Sequence, residues 1–241
     1  MASSTLSPLS RADGSAQYSF NGYSVLCAVN GPMEAQRRDE LPEEAVVDVA
    51  IIPATGIAGV TSKHLESIVQ KALRQIVLVA AHARSLIQIT LQIIATPESD
   101  HQPARLHQSF SSIAVLPALL QASILALLST SIPLCMFTNL TSVAVGANGD
   151  VALDPSVEEV DAATSLHVIG FSSQGDLLIA ESEGSFNIAT WEQVSDIAGT
   201  VCWGDLTRDN GLQVSKFWKH ELNCESTLRT KISQWYSKST G

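Results

Sequence analysis

The chain has 241 residues, 45% of them hydrophobic and only 16% charged, which excludes an intrinsically disordered polymer. At roughly 150 residues per domain, that length holds one large domain or two small ones with a sizeable core and no need of a disulfide framework. Fourteen Lys and Arg against 24 Asp and Glu give a net charge of −10, which argues against a free-standing nucleic-acid binder held by phosphate neutralisation.

A Ser-rich leader over residues 1–8 is expected to be mobile. It has no basic n-region and no apolar run behind it, so no secretory signal is read and an intracellular protein is expected. The turn Leu9-Ser10-Arg11-Ala12-Asp13-Gly14-Ser15 then opens two β-like runs, 16–20 and 23–29. Asn21-Gly22 joins them as a hairpin, because both residues tolerate φ > 0. Gly31-Pro32 is expected to stop the second run, and 33–42 to form a charged loop. A β-branched strand follows over 45–52, closed by Pro53 and the turn Thr55-Gly56-Ile57-Ala58-Gly59.

From Ser62 the period changes: Leu65, Ile68, Val69, Ala72, Leu73, Ile76 and Val77 predict a helix to about Ala81, with Ser62 as N-cap. Leu86, Ile89, Leu91, Ile93 and Ile94 form the next strand, and after a long polar loop a second helix spans about 111–129. The second half predicts a strand over 141–146, a turn at Asn148-Gly149, a short strand over 151–153 and an acidic segment over 154–161. A hairpin over 165–171 and 177–181 and two helical stretches after Thr190 complete the chain. Strands and helices alternate without a strict βαβ period or a G-x-G-x-x-G fingerprint, so the fold class is α+β with mixed sheets and packed helices.

Charge is distributed unevenly. Residues 85–207 hold 13 acidic side chains and one basic one, Arg105, whereas 208–241 hold six basic and three acidic. The cysteines, Cys27, Cys135, Cys202 and Cys224, lack C-x-x-C spacing and read as reduced thiols rather than zinc ligands. No charged residue occurs between Arg105 and Asp150, a length compatible with a membrane span. Pro117, Gln121, Ser123, the Ser129-Thr130-Ser131 cluster and the lack of flanking basic residues favour a buried core helix instead.

At this point the sequence resembles the RNase PH family, and within it the RNase PH-like ring subunits of the eukaryotic RNA exosome. The resemblance covers about residues 9–200. It is carried by Leu9 to Ser15 as quoted, Ser24-Val25-Leu26-Cys27-Ala28-Val29, Asn30-Gly31-Pro32-Met33-Glu34, Val47-Asp48-Val49, Ile52-Pro53-Ala54-Thr55-Gly56 and Leu73-Arg74. In the second half Ile132-Pro133, Leu153-Asp154-Pro155, Glu158-Glu159 and Glu183-Gly184 continue it; each piece is weak alone, and their order and intervals are specific. The resemblance implies the family's β-α fold, similar to domain 2 of ribosomal protein S5, over 9–204 with halves of about 9–130 and 131–204. A C-terminal helical extension over 205–241 follows. It also implies a heterohexameric ring with other RNase PH-like subunits, S1/KH-type cap subunits, associated nucleases, RNA in the channel, no cofactor and no membrane. The location implied is nucleus and nucleolus, and cytoplasm.

Active family members use phosphate to attack the terminal phosphodiester of RNA, which needs an anion pocket and a nearby acid. The interval matching the family's glycine-rich pocket is 98–112, and it has no glycine, while Glu98 and Asp100 oppose an oxyanion. Arg105 with Ser109, Ser111 and Ser112 is the functional reading of this stretch, and a solvated insertion capping the next helix is the competing one. His101 and His107 read as surface histidines rather than a metal pair.

Asp154 matches the family's first catalytic carboxylate, and Asp161 is the nearest candidate for the second, displaced by one residue. On a strand that slip would turn Asp161 to the opposite face, so it aligns only if the segment bulges or loops. An acid without its phosphate pocket cannot catalyse phosphorolysis, so Asp154 and Asp161 are read as vestigial, and Glu158, Glu159 and their neighbours as an acidic turn rather than a Mg²⁺ site. No G-x-S-x-G, H-E-x-x-H or Walker-type motif competes.

Arg37 and Arg38 are the candidate RNA contacts, against the reading of a solvated loop beside Asp39-Glu40; Lys63, Lys71 and Arg74 read as an exposed helix face. A mean hydropathy of +0.17 predicts apolar faces covered by neighbouring subunits. The function expected is thus a non-catalytic subunit of the exosome ring, the alternative an active 3′-exoribonuclease using Asp154 and Asp161. A third reading keeps the fold in a self-associating ring or dimer.

Overall fold

Alternating apolar and polar side chains build the first half into a sheet. The structure, a computed structural model, describes residues 3–54, 58–97, 113–147 and 149–203. Strands β1 (Ser3–Leu6), β2 (Gly14–Phe20), β3 (Tyr23–Glu34), β4 (Val46–Ile52) and β5 (Ser85–Ala95) form one sheet in the order β1-β2-β3-β5-β4. Only the β4–β5 pair is parallel. One face carries Val25, Cys27, Val29, Val47, Val49, Ile51, Ile87, Ile89 and Leu91, all buried. Each such aliphatic side chain contributes on the order of 1.5–3 kcal/mol of burial. Asn21 and Gly22 turn the expected hairpin with φ of 51° and 83°, the pair of positive angles a two-residue hairpin favours.

Four expectations are corrected here. The leader contributes an edge strand: Ser3 to Leu6 pair with Ser19 to Ala16 of β2, and these backbone bonds order a segment whose side chains carry no strong pattern. Gly31-Pro32 does not end β3; the register shifts between Asn30 and Met33, and pairing resumes at Met33 with Leu86. Helix α1 (Val60–Ile76) starts two residues before Ser62, with Gly59 as N-cap and no side-chain cap. It also ends before Ala81. The Ile76 and Leu78 backbones are captured by Cys135 N–H and the Pro133 carbonyl at 2.8 and 3.0 Å, and tertiary pairing there overrides the helical period.

Helix α2 (Leu116–Leu128) is the centre of the molecule. It packs on β2 and β3 on one side and reaches β6 on the other, and every residue from Leu116 to Leu127 is buried. That accounts for its uncharged sequence, and among the described residues no helix is long and apolar enough to cross a membrane.

The second sheet is antiparallel, with β6 (Thr138–Gly146), β7 (Val151–Leu153), β8 (Ala163–Ser172) and β9 (Leu177–Gly184) in the order β7-β6-β8-β9. The short α3 (Val157–Ala162) links β7 to β8, and α4 (Ile188–Trp203) closes a small core of Val143, Val145, Ile169, Val194 and Ala198 with Val151 and Phe171. Met1–Cys202 is one compact unit. The C-terminal extension expected over 205–241, Asn148 and the interval 98–112 lie outside the described residues.

The motifs that carry the family resemblance pack on one another. Ser15, 1% exposed, donates its N–H to Ser129 Oγ at the end of α2 (3.0 Å) and accepts the Leu9 N–H on its own hydroxyl (3.0 Å). A Cβ on Gly14 would lie 2.2 Å from Thr130 Cγ2 and 2.6 Å from the Ala126 carbonyl, so only glycine fits. Asp13 Oδ2 accepts the Gly31 N–H at 2.9 Å, joining the first motif to the Asn30–Glu34 segment.

Candidate functional site

Asp154 leaves β7 with φ of 49°, a left-handed angle that Asp tolerates better than most residues. Its N–H donates to the Ser142 carbonyl at 2.8 Å. Its Oδ1 is approached at 3.4 Å by Thr141 Oγ1, Ser142 N–H and Ser142 Oγ, so the carboxylate clasps β6. The residue is exposed overall, yet packing of the carboxyl group raises its pKa above the ordinary value, while hydrogen bonds from Ser142 and Thr141 act in the opposite direction. Cys202 of α4 is buried, which lifts its thiol to about 12, with the charge of Asp154 adding to the rise.

The segment after Asp154 is helical, so the alternation of a strand does not govern Asp161. Ser156 caps α3 in a reciprocal box: Ser156 N–H donates to Glu159 Oε2 (2.8 Å) and Glu159 N–H to Ser156 Oγ (3.4 Å). Glu159 is thereby committed to the cap, and Asp161 is an exposed residue of the same short helix. Among the described residues no group of three or more His, Cys, Asp or Glu is arranged to hold a metal ion.

Arg37 and Arg38 belong to an exposed turn in which Asp39 and Glu40 N–H groups donate to the Gln36 carbonyl at 2.9 and 3.0 Å. Arg38 Nε approaches Asp39 Oδ1 only to 3.8 Å, with both side chains exposed, and such a pair contributes little. Arg105, His101 and His107 lie outside the described residues.

The structure does not bring Arg37 and Arg38 to Asp154. Asn21, at one end of β3, donates its side-chain N–H to the Pro155 carbonyl, tying the hairpin to the Asp154 turn. Arg37 and Arg38 follow the other end of β3, a strand of 12 residues or about 40 Å at 3.3 Å per residue. Strand β5 ends on the Asn21 side, where Pro97 lies against Gly22.

One polar cluster was not legible beforehand. His167 is wholly buried, with Ser165 Oγ 3.0 Å from Nε2, Ser182 Oγ 2.8 Å from Nδ1 and Phe186 edge-on at 4.8 Å. Burial lowers its pKa. The signal was the alternation Ser165-x-His167 on a strand, but its completion by Ser182 needs the cross-strand register.

The model of the 3′ exoribonuclease family, domain 1, which is the RNase PH domain, matches residues 3–133. The chain belongs to that family. Its RNase PH-like mixed α+β fold has a solved counterpart in the crystal structure of rice (Oryza sativa) Rrp46, with a TM-score of 0.71 at 26% identity over 86% of this chain and 93% of that one. A Saccharomyces cerevisiae relative named exosome complex component RRP46 is 28% identical over 186 residues, 74% of this chain and 80% of its own. A rice (Oryza sativa subsp. japonica) relative named exosome complex exonuclease RRP46 homolog is 30% identical over 168 residues, 69% of this chain and 64% of its own. Both of these relatives carry the RRP46 name, that of ribosomal RNA-processing protein 46.

Proposed function

We propose that this chain is a non-catalytic subunit of an RNA exosome core ring, which completes the ring and shapes the channel for RNA processed 3′ to 5′ by nucleases carried elsewhere. The observation that carries the reading is the engagement of Asp154, whose carboxylate is bound to β6, beside the lack of any glycine in the interval 98–112 that matches the family's phosphate pocket. The exosome names of the relatives support the ring. Its partners on this reading are other RNase PH-like subunits in a heterohexamer, S1/KH-type caps, the associated nucleases and RNA. Arg37 and Arg38, with Arg105, supply RNA contacts, and the location is nucleus, nucleolus and cytoplasm. Residues 9–204 are the ring module, and 205–241 an extension to it.

A second reading, an active 3′-exoribonuclease through Asp154 and Asp161, is favoured by one observation. Strand β5 ends, with Pro97 against Gly22, at the same end of β3 as the Asp154 turn that Asn21 binds. The two readings separate on release of nucleoside diphosphates from RNA with phosphate present or omitted, by the chain alone and in its assembly. The ring-subunit reading expects no activity that Asp154→Asn or Asp161→Asn removes; phosphate-dependent decay abolished by either substitution establishes the enzyme instead.

A further inference from the structure

The two sheets have four outer edges, and three are managed within the fold. At β4 the Ile51 N–H donates to Glu66 Oε1 (3.0 Å) and the Gln70 side chain donates to the Val47 carbonyl (2.7 Å), so α1 satisfies that edge. Strands β1 and β7 are only four and three residues long. Strand β9 is eight residues long, and no described element pairs with its outer side.

The direction of its backbone groups follows from register. Ser142 accepts from Asp154 N–H, so the Ser142 backbone faces β7 and that of Val143 faces β8. Val143 is opposite His167, which places the backbone of Val168 toward β9 and its partner Glu181 toward β8. The Ser185 N–H donating to the Thr164 carbonyl at 3.2 Å fixes the same alternation from the other end. Ala180, Ser182 and Gly184 therefore direct their N–H and C=O groups outward, while the register shift at Gly170/Phe171 ends the regular alternation before Leu178. Ser182 also ties the strand inward, its Oγ lying 2.8 Å from Nδ1 of the buried His167. Leu177 and Phe186 flank it at 44% and 41% exposure, an apolar side chain at each end.

An edge of this length is a template for another strand. Charge selects the occupant. Residues 113–203 hold ten Asp and Glu and no Lys or Arg, which disfavours a nucleic acid. A second copy paired antiparallel about Ser182 would set Glu181 opposite Glu183 of its partner.

We propose that the outer edge of β9 accepts an extended, Lys- or Arg-bearing segment of a partner protein as a fifth strand of the second sheet. Backbone bonds to Ala180, Ser182 and Gly184 supply affinity, and the partner's cations meet Glu181 and the acidic surface around it. This goes beyond the ring reading and does not depend on it, because the edge and its charge exist whatever the chain assembles with.

The probe is a dye-labelled, end-blocked peptide alternating Lys with Val and Thr, added to the full-length chain. Anisotropy is expected to show binding that Ala180→Pro weakens about tenfold, since proline deletes one outward N–H and leaves the bonds to β8 intact. The same peptide with Glu for Lys is expected not to bind. Hydrogen exchange on the unaltered chain decides the matter even if the proline variant misfolds: the Ala180, Ser182 and Gly184 amides should slow on adding peptide. Unchanged exchange at these three amides, or equal affinity of a folded Ala180→Pro chain, overturns the proposal. So does a dimer in sedimentation whose three amides are already protected without peptide, which would make a second copy the occupant.

Discussion

A carboxylate held against a strand by two hydroxyls and one N–H prefers to keep its proton when its own packing removes water from it, and that is the balance at Asp154. The native state therefore binds this proton more tightly than the unfolded chain, whose value is near 3.8. Its contribution to stability is present below that value and is lost as pH rises through the higher native value. Asp154→Asn, which keeps an acceptor oxygen and tolerates the left-handed backbone angle, should unfold at a higher temperature than the unaltered chain at pH 7. The gap should close at pH 3.5; a thermal melt series from pH 3.5 to 8 measures it, and a gap independent of pH would show that ionisation plays no part. His167 runs in the opposite sense, because burial lowers its pKa and acid weakens the fold there. Asp154 was legible from its place after Leu153, but its clasp on Ser142 depends on β6 and β7 pairing, which a linear pattern does not contain. The one-residue displacement of Asp161 lost its meaning once Ser156 and Glu159 proved to cap a helix.

Elements with strong local signals formed where their residues placed them. Asn21-Gly22 turned the hairpin, and the Leu65 to Ile76 period made α1, because these signals act within a few residues. The ends were set by contacts far along the chain: β1 by pairing with β2, the end of α1 by Pro133 and Cys135, and the extension of β3 by β5 across the Asn30/Met33 register shift. The same holds for the motif at residues 9–15, which carries part of the family resemblance yet performs a packing task against α2. Gly14→Ala should cost about 1–3 kcal/mol through overpacking against Thr130 and the Ala126 carbonyl. Urea unfolding of the single variant and of the pair with Thr130→Ser checks this, since removing the nearest methyl group should recover part of the loss.

Across the whole molecule the net charge is not spread evenly, for the ten carboxylates within residues 113–203 have no cationic side chain among them. Self-repulsion in that half should be relieved by ionic strength. The melting temperature is expected to rise between 20 and ~300 mM NaCl at pH 7.5, and a fall would mean that ion pairs such as Arg84 with Glu40 outweigh the repulsion. The uniformly apolar α2 has a different consequence, one of timing during synthesis. All five strands of the first sheet precede it in the chain, so one side can be covered as soon as it leaves the ribosome. Its other side waits for residues 129–203, about 4 to 15 s at roughly 5–20 residues per second. For that interval the nascent chain presents a greasy helix to the cytosol, and a chaperone that holds hydrophobic segments would find its target between the two halves.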